Sequence, residues 1–217
     1  MIKRLIQNRR TAILAAAFLT LPNHAYSDAD VGNLASIEQV GHAYQADISQ
    51  SGDGNVARIR QVAANAELNA VSSDVNGVAE ILQTGYQHNA EINDFGERNA
   101  ITIQQWQSGN NALVNLYGQD NRVDIGQDGE AQSIAASISG SSNLISAYQS
   151  GFNNLAMIDI IGDRNEVVQL QQGQWNSAGI MIDGDENTVI HQQLGDGMSF
   201  NLEIRGNGNN MTVTQGL

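Results

Sequence analysis

Residues 162–187 read GDRNEVVQLQQGQWNSAGIMIDGDEN, and Gly-x-x-Asn occurs in them three times, at Gly162/Asn165, Gly173/Asn176 and Gly184/Asn187. Each copy begins eleven residues after the one before. Stepped outward from Asp30 without insertion, the frame divides the chain into seventeen units, the last closing at Gly216. Gly holds the first position in 13 of them, unbroken from Gly118 to Gly206, and Asn holds the fourth in 11. The sixth position is apolar in all seventeen, from Ala35 to Met211, and the eighth in fifteen, failing only at Gln169 and His191. Columns this regular mark a repeat architecture.

The tenth position carries a second period. Gln61, Gln83, Gln105, Gln127, Gln149, Gln171, Gln193 and Gln215 recur every 22 residues. Between them stand Leu116, Ile138, Ile160, Ile182 and Ile204, while the earlier partners Ser72 and Asp94 are less regular. The repeating unit is therefore two unlike halves, one ending in Gln and one in an aliphatic residue.

Positions six, eight and ten share parity, and alternate residues of a strand face one side. Each unit thus reads as a tight turn followed by a strand, with Val167, Gln169 and Gln171 inward in the opening stretch. Glycine supplies the positive φ that such a turn asks for, and Asn tolerates the left-handed region or bonds its own backbone. A helix with an eleven-residue stripe would carry a Gly in nearly every third turn, at about 1 kcal/mol each.

Two strands and two turns make a coil of 22 residues, and coils stack at about 4.8 Å. The expected fold is all-β: a flat solenoid of about eight and a half coils, with a narrow interior between two parallel, in-register, cross-β-like sheets. The turn glycines are Gly52, Gly96, Gly118, Gly140, Gly151, Gly162, Gly173, Gly184 and Gly206. An Asn ladder is expected at Asn55, Asn99, Asn121, Asn143, Asn154, Asn165, Asn176, Asn187 and Asn209. The Gln column forms a second ladder, since a buried amide without a partner costs roughly 1–3 kcal/mol. Ile138, Ile160, Ile182 and Ile204 form the aliphatic core.

The start of the chain differs in kind. MIKRLIQNRR is basic, Ala12 to Leu21 is apolar, and Ala25-Tyr26-Ser27 offers small residues before a cut, so residues 1–27 read as a secretory signal cleaved after Ser27. The apolar run is about half of the roughly 20 residues a spanning helix needs. Residues 28–217 are the repeat region and retain six arginines against 23 acidic residues, a net charge near −17. Nucleic acid and anionic membrane surfaces are thereby disfavoured as partners. There is no cysteine, so neither disulfides nor thiolate metal sites contribute.

Chemical motifs are weak. Asp183-Gly-Asp185-Glu-Asn187 opens like a calcium loop, but Thr188 stands where Gly is needed and Leu194 where Glu is needed. His42, His88 and His191 share no spacing and read as solvated or ladder-neighbour residues. No G-x-S-x-G elbow occurs, and no long loop exists to build a cleft. The chain is expected to be neither an enzyme nor a cofactor or metal protein.

Gln50-Ser-Gly52-Asp-Gly-Asn55-Val-Ala57-Arg-Ile-Arg-Gln61 resembles the curlin repeat, and Gln149-Ser-Gly151-Phe-Asn-Asn154-Leu-Ala156 and Gln171-Gln-Gly173-Gln-Trp-Asn176-Ser-Ala178 match its first half. The resemblance implies a subunit of extracellular curli amyloid fibres, exported through an outer-membrane pore and templated by a nucleator subunit. It also implies roles in bacterial biofilm matrix and surface adhesion. The final unit obeys the repeat, as a major subunit would, more than a nucleator. Family repeats often carry Gln at the end of both halves, where this chain places Ile. The family's non-repetitive pore-addressing segment is missing, and the first two units, through Gln50, are candidates to replace it.

Open solenoid ends are templates for another chain, so end-to-end self-association is expected. Opposite charges one coil apart, Arg58 with Glu80 and Arg164 with Glu186, would interrupt like-charge columns. Trp106, Trp175, Phe95, Phe152 and Tyr117 fall at turns or strand ends. The alternative reading is a monomeric secreted solenoid that binds ice or glycans. Thr102, Thr188, Thr212 and Thr214, however, form no regular outward column.

Overall fold

The computed structural model describes residues 32–41, 44–63 and 77–216. Sixteen strands make two parallel sheets of eight. The first sheet holds β1 (Leu34–Val40), β3 (Val56–Val62), β5 (Asn89–Glu97), β7 (Asn111–Gln119), β9 (Ser133–Ser139), β11 (Leu155–Ile161), β13 (Ser177–Asp183) and β15 (Ser199–Arg205), in that order. The second holds β2 (Gln45–Asp53), β4 (Val78–Tyr86), β6 (Ala100–Ser108), β8 (Arg122–Glu130), β10 (Leu144–Phe152), β12 (Glu166–Gln174), β14 (Thr188–Leu194) and β16 (Asn210–Gln215). Consecutive strands alternate between sheets, so each coil contributes one strand to each. This is the flat β-solenoid that the column parity requires.

The interior follows the columns. Positions six, eight and ten are buried along the central coils, with Ile81, Ile92, Ile103, Ile138, Ile160 and Ile182 fully enclosed. Each such aliphatic contributes roughly 1.5–3 kcal/mol through burial. The fourth position is buried as well, so the turn asparagines belong to the core's edges and not to solvent.

The frame without insertions fails at one place. From β4 onward every pairing joins residues 22 apart, as Gln83↔Gln105 and Ile160↔Ile182 do. Across the β2–β4 and β3–β5 steps the offset is larger: Gln50 pairs Gln83 and Gln61 pairs Asp94, each 33 residues on. The chain thus advances eleven residues more at this step than at any other, and the described strands make eight coils where eight and a half were expected. Ser72 lies in the segment 64–76, outside the described residues. So do His42 and the expected signal at 1–27.

Candidate functional site: polar rows and open ends

The turns are built by two residues. At the first position, Gly140 has φ 149° and Gly162 has φ 133°. A Cβ on Gly140 would strike the carbonyl oxygen of Gly162 in the next coil, so this position must stay bare for these coils to approach, although Gln107 fills the first position of its unit in β6 with φ 75°. Gly52, Gly118, Gly151, Gly173, Gly184 and Gly206 share the positive φ, and Gly96 does not. The left-handed residue is the third of each unit: Asp120, Ala131, Ser142, Asn153, Arg164, Trp175 and Glu186, with φ of 56–60°. Of the two roles expected for the fourth-position Asn, the left-handed conformation is not the one found; the side chain bonds backbone instead. Its amide is needed elsewhere.

The asparagines form two columns, one along each edge, not one. Asn99, Asn121, Asn143, Asn165, Asn187 and Asn209 line one edge, where each Oδ1 accepts the backbone N–H of the next, as from Asn143 to Asn121 and Asn165 to Asn143 at 2.9 Å. Each Nδ2 donates to a glycine carbonyl one coil on, Asn143 to Gly162 and Asn165 to Gly184 at 2.8 Å. The other edge runs Asn33, Asn55, His88, Asn110, Gln132, Asn154, Asn176 and ends on Met198. His88 accepts the Asn110 N–H through Nδ1 at 3.3 Å. Burial holds its pKa below the ordinary value, opposed by the Thr84 carbonyl. The ladder-neighbour reading of His88 therefore holds.

The glutamine row lies in the second sheet. Gln50, Gln83, Gln105, Gln127, Gln149, Gln171, Gln193 and Gln215 are joined by Nε2–H···Oε1 bonds of 2.7–3.1 Å, each donating towards the C-terminus. The second N–H of each amide reaches a backbone carbonyl at the start of the facing strand, Gln127 to Asn111 at 3.0 Å and Gln171 to Leu155 at 3.0 Å. The row thus links the sheets, and its own buried amides are all paired.

Gln61 does not belong to this row. The 33-residue step puts it in the first sheet, between Gln39, which donates to its Oε1 at 2.9 Å, and Asp94. Gln50 takes the place expected for Gln61. Beyond Asp94 the first-sheet column continues as Leu116, Ile138, Ile160, Ile182 and Ile204. Three inward polar residues stand apart from the rows: Asp94, Gln169 and His191, all buried. Asp94 was seen in sequence only as an irregular partner. His191 is not solvated: its ring stacks on Phe200 at 4.0 Å.

The outer faces carry the charge. Arg164 and Glu186 pair at 2.8 Å across one coil, as their spacing requires. Arg58 and Glu80 do not, because the 33-residue step places them in different sheets, and Arg58 faces Glu91 in register instead. Arg98 grips Asp120 through Nε at 2.7 Å and Nη2 at 2.8 Å, which lowers the Asp120 pKa. Phe95 stacks on Tyr117, and Phe152 meets the edge of Trp175. Leu155, Met157, Ile161 and Met181 share the outward face of β11 and β13 and remain about half exposed. Among the described residues no group of His, Cys, Asp and Glu is arranged to hold a metal ion.

Both ends of the stack are open among the described residues. The inward residues of β1 and β2 (Ala35, Ile37, Ala46 and Ile48) and of β15 and β16 (Phe200, Leu202, Met211 and Val213) are only partly covered. Gln215 Nε2 bonds Ser199 and has no following amide, and Gln50 Oε1 has no preceding one. β1 and β2 are ordinary members of the sheets, so the first two units are part of the solenoid.

Residues 140–168 match the curlin associated repeat. No curated protein and no solved structure matches the chain.

Proposed function

We propose that this chain, which carries the curlin repeat, is a secreted structural subunit that assembles end to end into extracellular fibres of the curli type. The curlin repeat and the stacked-sheet fold support a structural protein over an enzyme. The observation that carries the reading is the complementarity of the two open ends. With β15 against β1 and β16 against β2 of a second copy, Leu202 meets Ile37, Val213 meets Ile48, and the Gln215 amide donates to Gln50. The sixth- and eighth-position apolar columns and the glutamine row then continue through the joint, while at the fourth position Met198 falls on Asn33 and Asn209 on Tyr44, and one tenth-position column also breaks. That column sets Ile204 on Gln39, an aliphatic residue against an amide. Edge strands with unpaired backbone favour such addition. The half-exposed apolar group on β11 and β13 suits surface adhesion in a biofilm matrix. An outer-membrane export pore and a nucleator subunit belong to this reading as partners, and residues 1–27 as its secretory signal.

The test is to release residues 28–217 from denaturant and follow thioflavin T fluorescence with and without preformed fibres. A lag removed by seeds, with reflections at 4.7–4.8 Å and ~10 Å, supports the proposal. Val213→Pro, which removes a ladder donor from the terminal strand, should stop elongation. A β-rich monomer that never seeds would overturn the fibre reading in favour of an ice- or glycan-binding solenoid.

A further inference from the structure

Besides His88 in the edge row, two ionisable side chains are enclosed among aliphatic residues and neutral amides in the described interior, and they lie towards opposite ends of the stack. Asp94, on β5, is fully buried. Its Oδ1 accepts from Asn99 Nδ2 at 2.7 Å, while Oδ2 has no partner. Gln61 Nε2, on its register neighbour, also has none. No cation faces it: Arg58 and Arg60 of β3 are exposed, and the Arg60 guanidinium lies 5.2 Å above the Phe95 ring. Glu91 and Glu97 of its own strand, Tyr117 of β7 and Glu80 of β4 occupy outward positions. His88 sits in the turn before β5, held by the Asn110 N–H. Tyr44, whose hydroxyl donates to the Gly96 carbonyl at 2.5 Å, is raised in pKa by burial, then by Asp94 and Glu97. Nothing therefore neutralises a charge on Asp94.

His191, on β14, is fully buried too, and both ring nitrogens lack a partner. Its register neighbours are Gln169, whose amide atoms are likewise unpartnered, and Val213. Phe200 covers its ring. Glu166 of β12, Asp183 of β13, and Glu203 and Arg205 of β15 all sit at outward positions, and β16 has no ionisable residue. A proton on His191 would place an unpaired cation one coil from the open end.

We propose that the two ends of the solenoid respond to acid in opposite senses: acidification tightens the coils around Asp94 and loosens the terminal coils around His191. Burial favours the neutral form of each group, and neutralisation takes up a proton at one and requires its absence at the other. Burial accordingly raises the Asp94 pKa to about 6, against the pull of Asn99 and the more distant Gln61. Burial lowers that of His191, with Gln215 opposing from beyond hydrogen-bonding geometry. In a solenoid each coil is held by its neighbours alone, so the two responses need not average out. The inference holds whether or not the chain polymerises.

Hydrogen exchange on the full chain, resolved by segment and corrected for intrinsic rate, tests this at pH 5 and pH 7. Opening of β5 and its neighbours should become about tenfold rarer at pH 5. Opening of β14 and β16 should become several times more frequent, up to about tenfold. Asp94→Asn should erase the first response and keep the second; His191→Val should do the reverse. His191→Gln serves as the alternative should the smaller Val repack the interior. Both ends moving in the same sense, neither moving, or each response surviving its own substitution would overturn the proposal.

Discussion

Gln61 lies in register with Asp94, and not with Gln83, although only 22 residues separate it from the latter. The pair closes a short amide column against a buried carboxylate, and Leu116 follows directly above. Replacing Asp94 with Leu would extend the aliphatic column by one coil and free one Asn99 N–H, the other still reaching the Gly118 carbonyl, while Gln61 Nε2 stays unpartnered. Above pH 6 the gain should be on the order of 2–3 kcal/mol from removing the buried charge. Urea denaturation at pH 7.5 would show it as a raised midpoint; a lowered one would count against the buried-charge account.

Acidification should act on global stability in opposite senses through Asp94 and His191. Folding favours the proton on Asp94 and disfavours one on His191, so the two changes in proton count oppose each other, while the lowered pKa of buried His88 adds to the loss in acid. Asp94→Asn should unmask a stability that falls as the pH drops below about 6.5, because the unfolded His191 then binds the extra proton. Relative to the parent, His191→Val should lessen the fall in stability below about pH 6.5, because the unfolded chain no longer gains that imidazole's proton. Denaturation midpoints at half-unit intervals decide the signs.

Gln127 occupies the middle of the glutamine row, accepting from Gln105 at 2.8 Å and donating to Gln149 at 3.1 Å. Gln127→Ala strips two buried amides of a partner as well as opening a cavity, so about 3–5 kcal/mol should be lost. Gln127→Leu refills the space but not the bonds, and should recover part of that. Equal losses from both variants would mean that packing is irrelevant at this site.

Gly140→Ala should cost more than about 2 kcal/mol, since its φ is positive and the Gly162 carbonyl blocks a Cβ. Ala131→Gly should go the other way, adding up to about 1 kcal/mol at a left-handed residue. Thermal midpoints of the two variants should therefore bracket the parent.

Deleting residues 64–74 should leave the fold intact. The start of β4 would then follow that of β3 by eleven residues, as β6 follows β5, and all pairings would fall 22 apart. Shortening the connection changes loop entropy by less than about 1 kcal/mol. Circular dichroism should retain its β signal with a similar melting temperature; collapse of the signal would show that these residues are needed by the sheets.

The step at 64–76 explains what could and could not be read in advance. The extra eleven residues match the length of the repeat, so the eleven-residue frame passes through them undisturbed. Only the assignment of strands to sheets changes, and that moves Gln61, Asn55 and Arg58 to new neighbours. The signal was present in composition: units beginning at Ala63 and Asp74 lack both the first Gly and the fourth Asn, holding Ala66 and Gly77 there. The strand parity, the parallel stacking and the glutamine row from Gln83 to Gln215 depend on local columns and were legible, whereas the first member of the row is Gln50 and not the expected Gln61. The two asparagine edges required knowing which sheet each strand joins. The charges within the interior required knowing that nothing opposes them.

The glutamine row also has an electrical direction. Each amide is a dipole with its N–H end towards Gln215 and its oxygen end towards Gln50, and none is reversed. Enclosed in a poorly polarisable interior, such aligned groups reinforce one another. The stack is thus a small polarised rod, positive along its axis at one mouth and negative at the other. In the end-to-end arrangement proposed above, unlike poles of two copies would face each other, whereas a reversed copy would set like poles together.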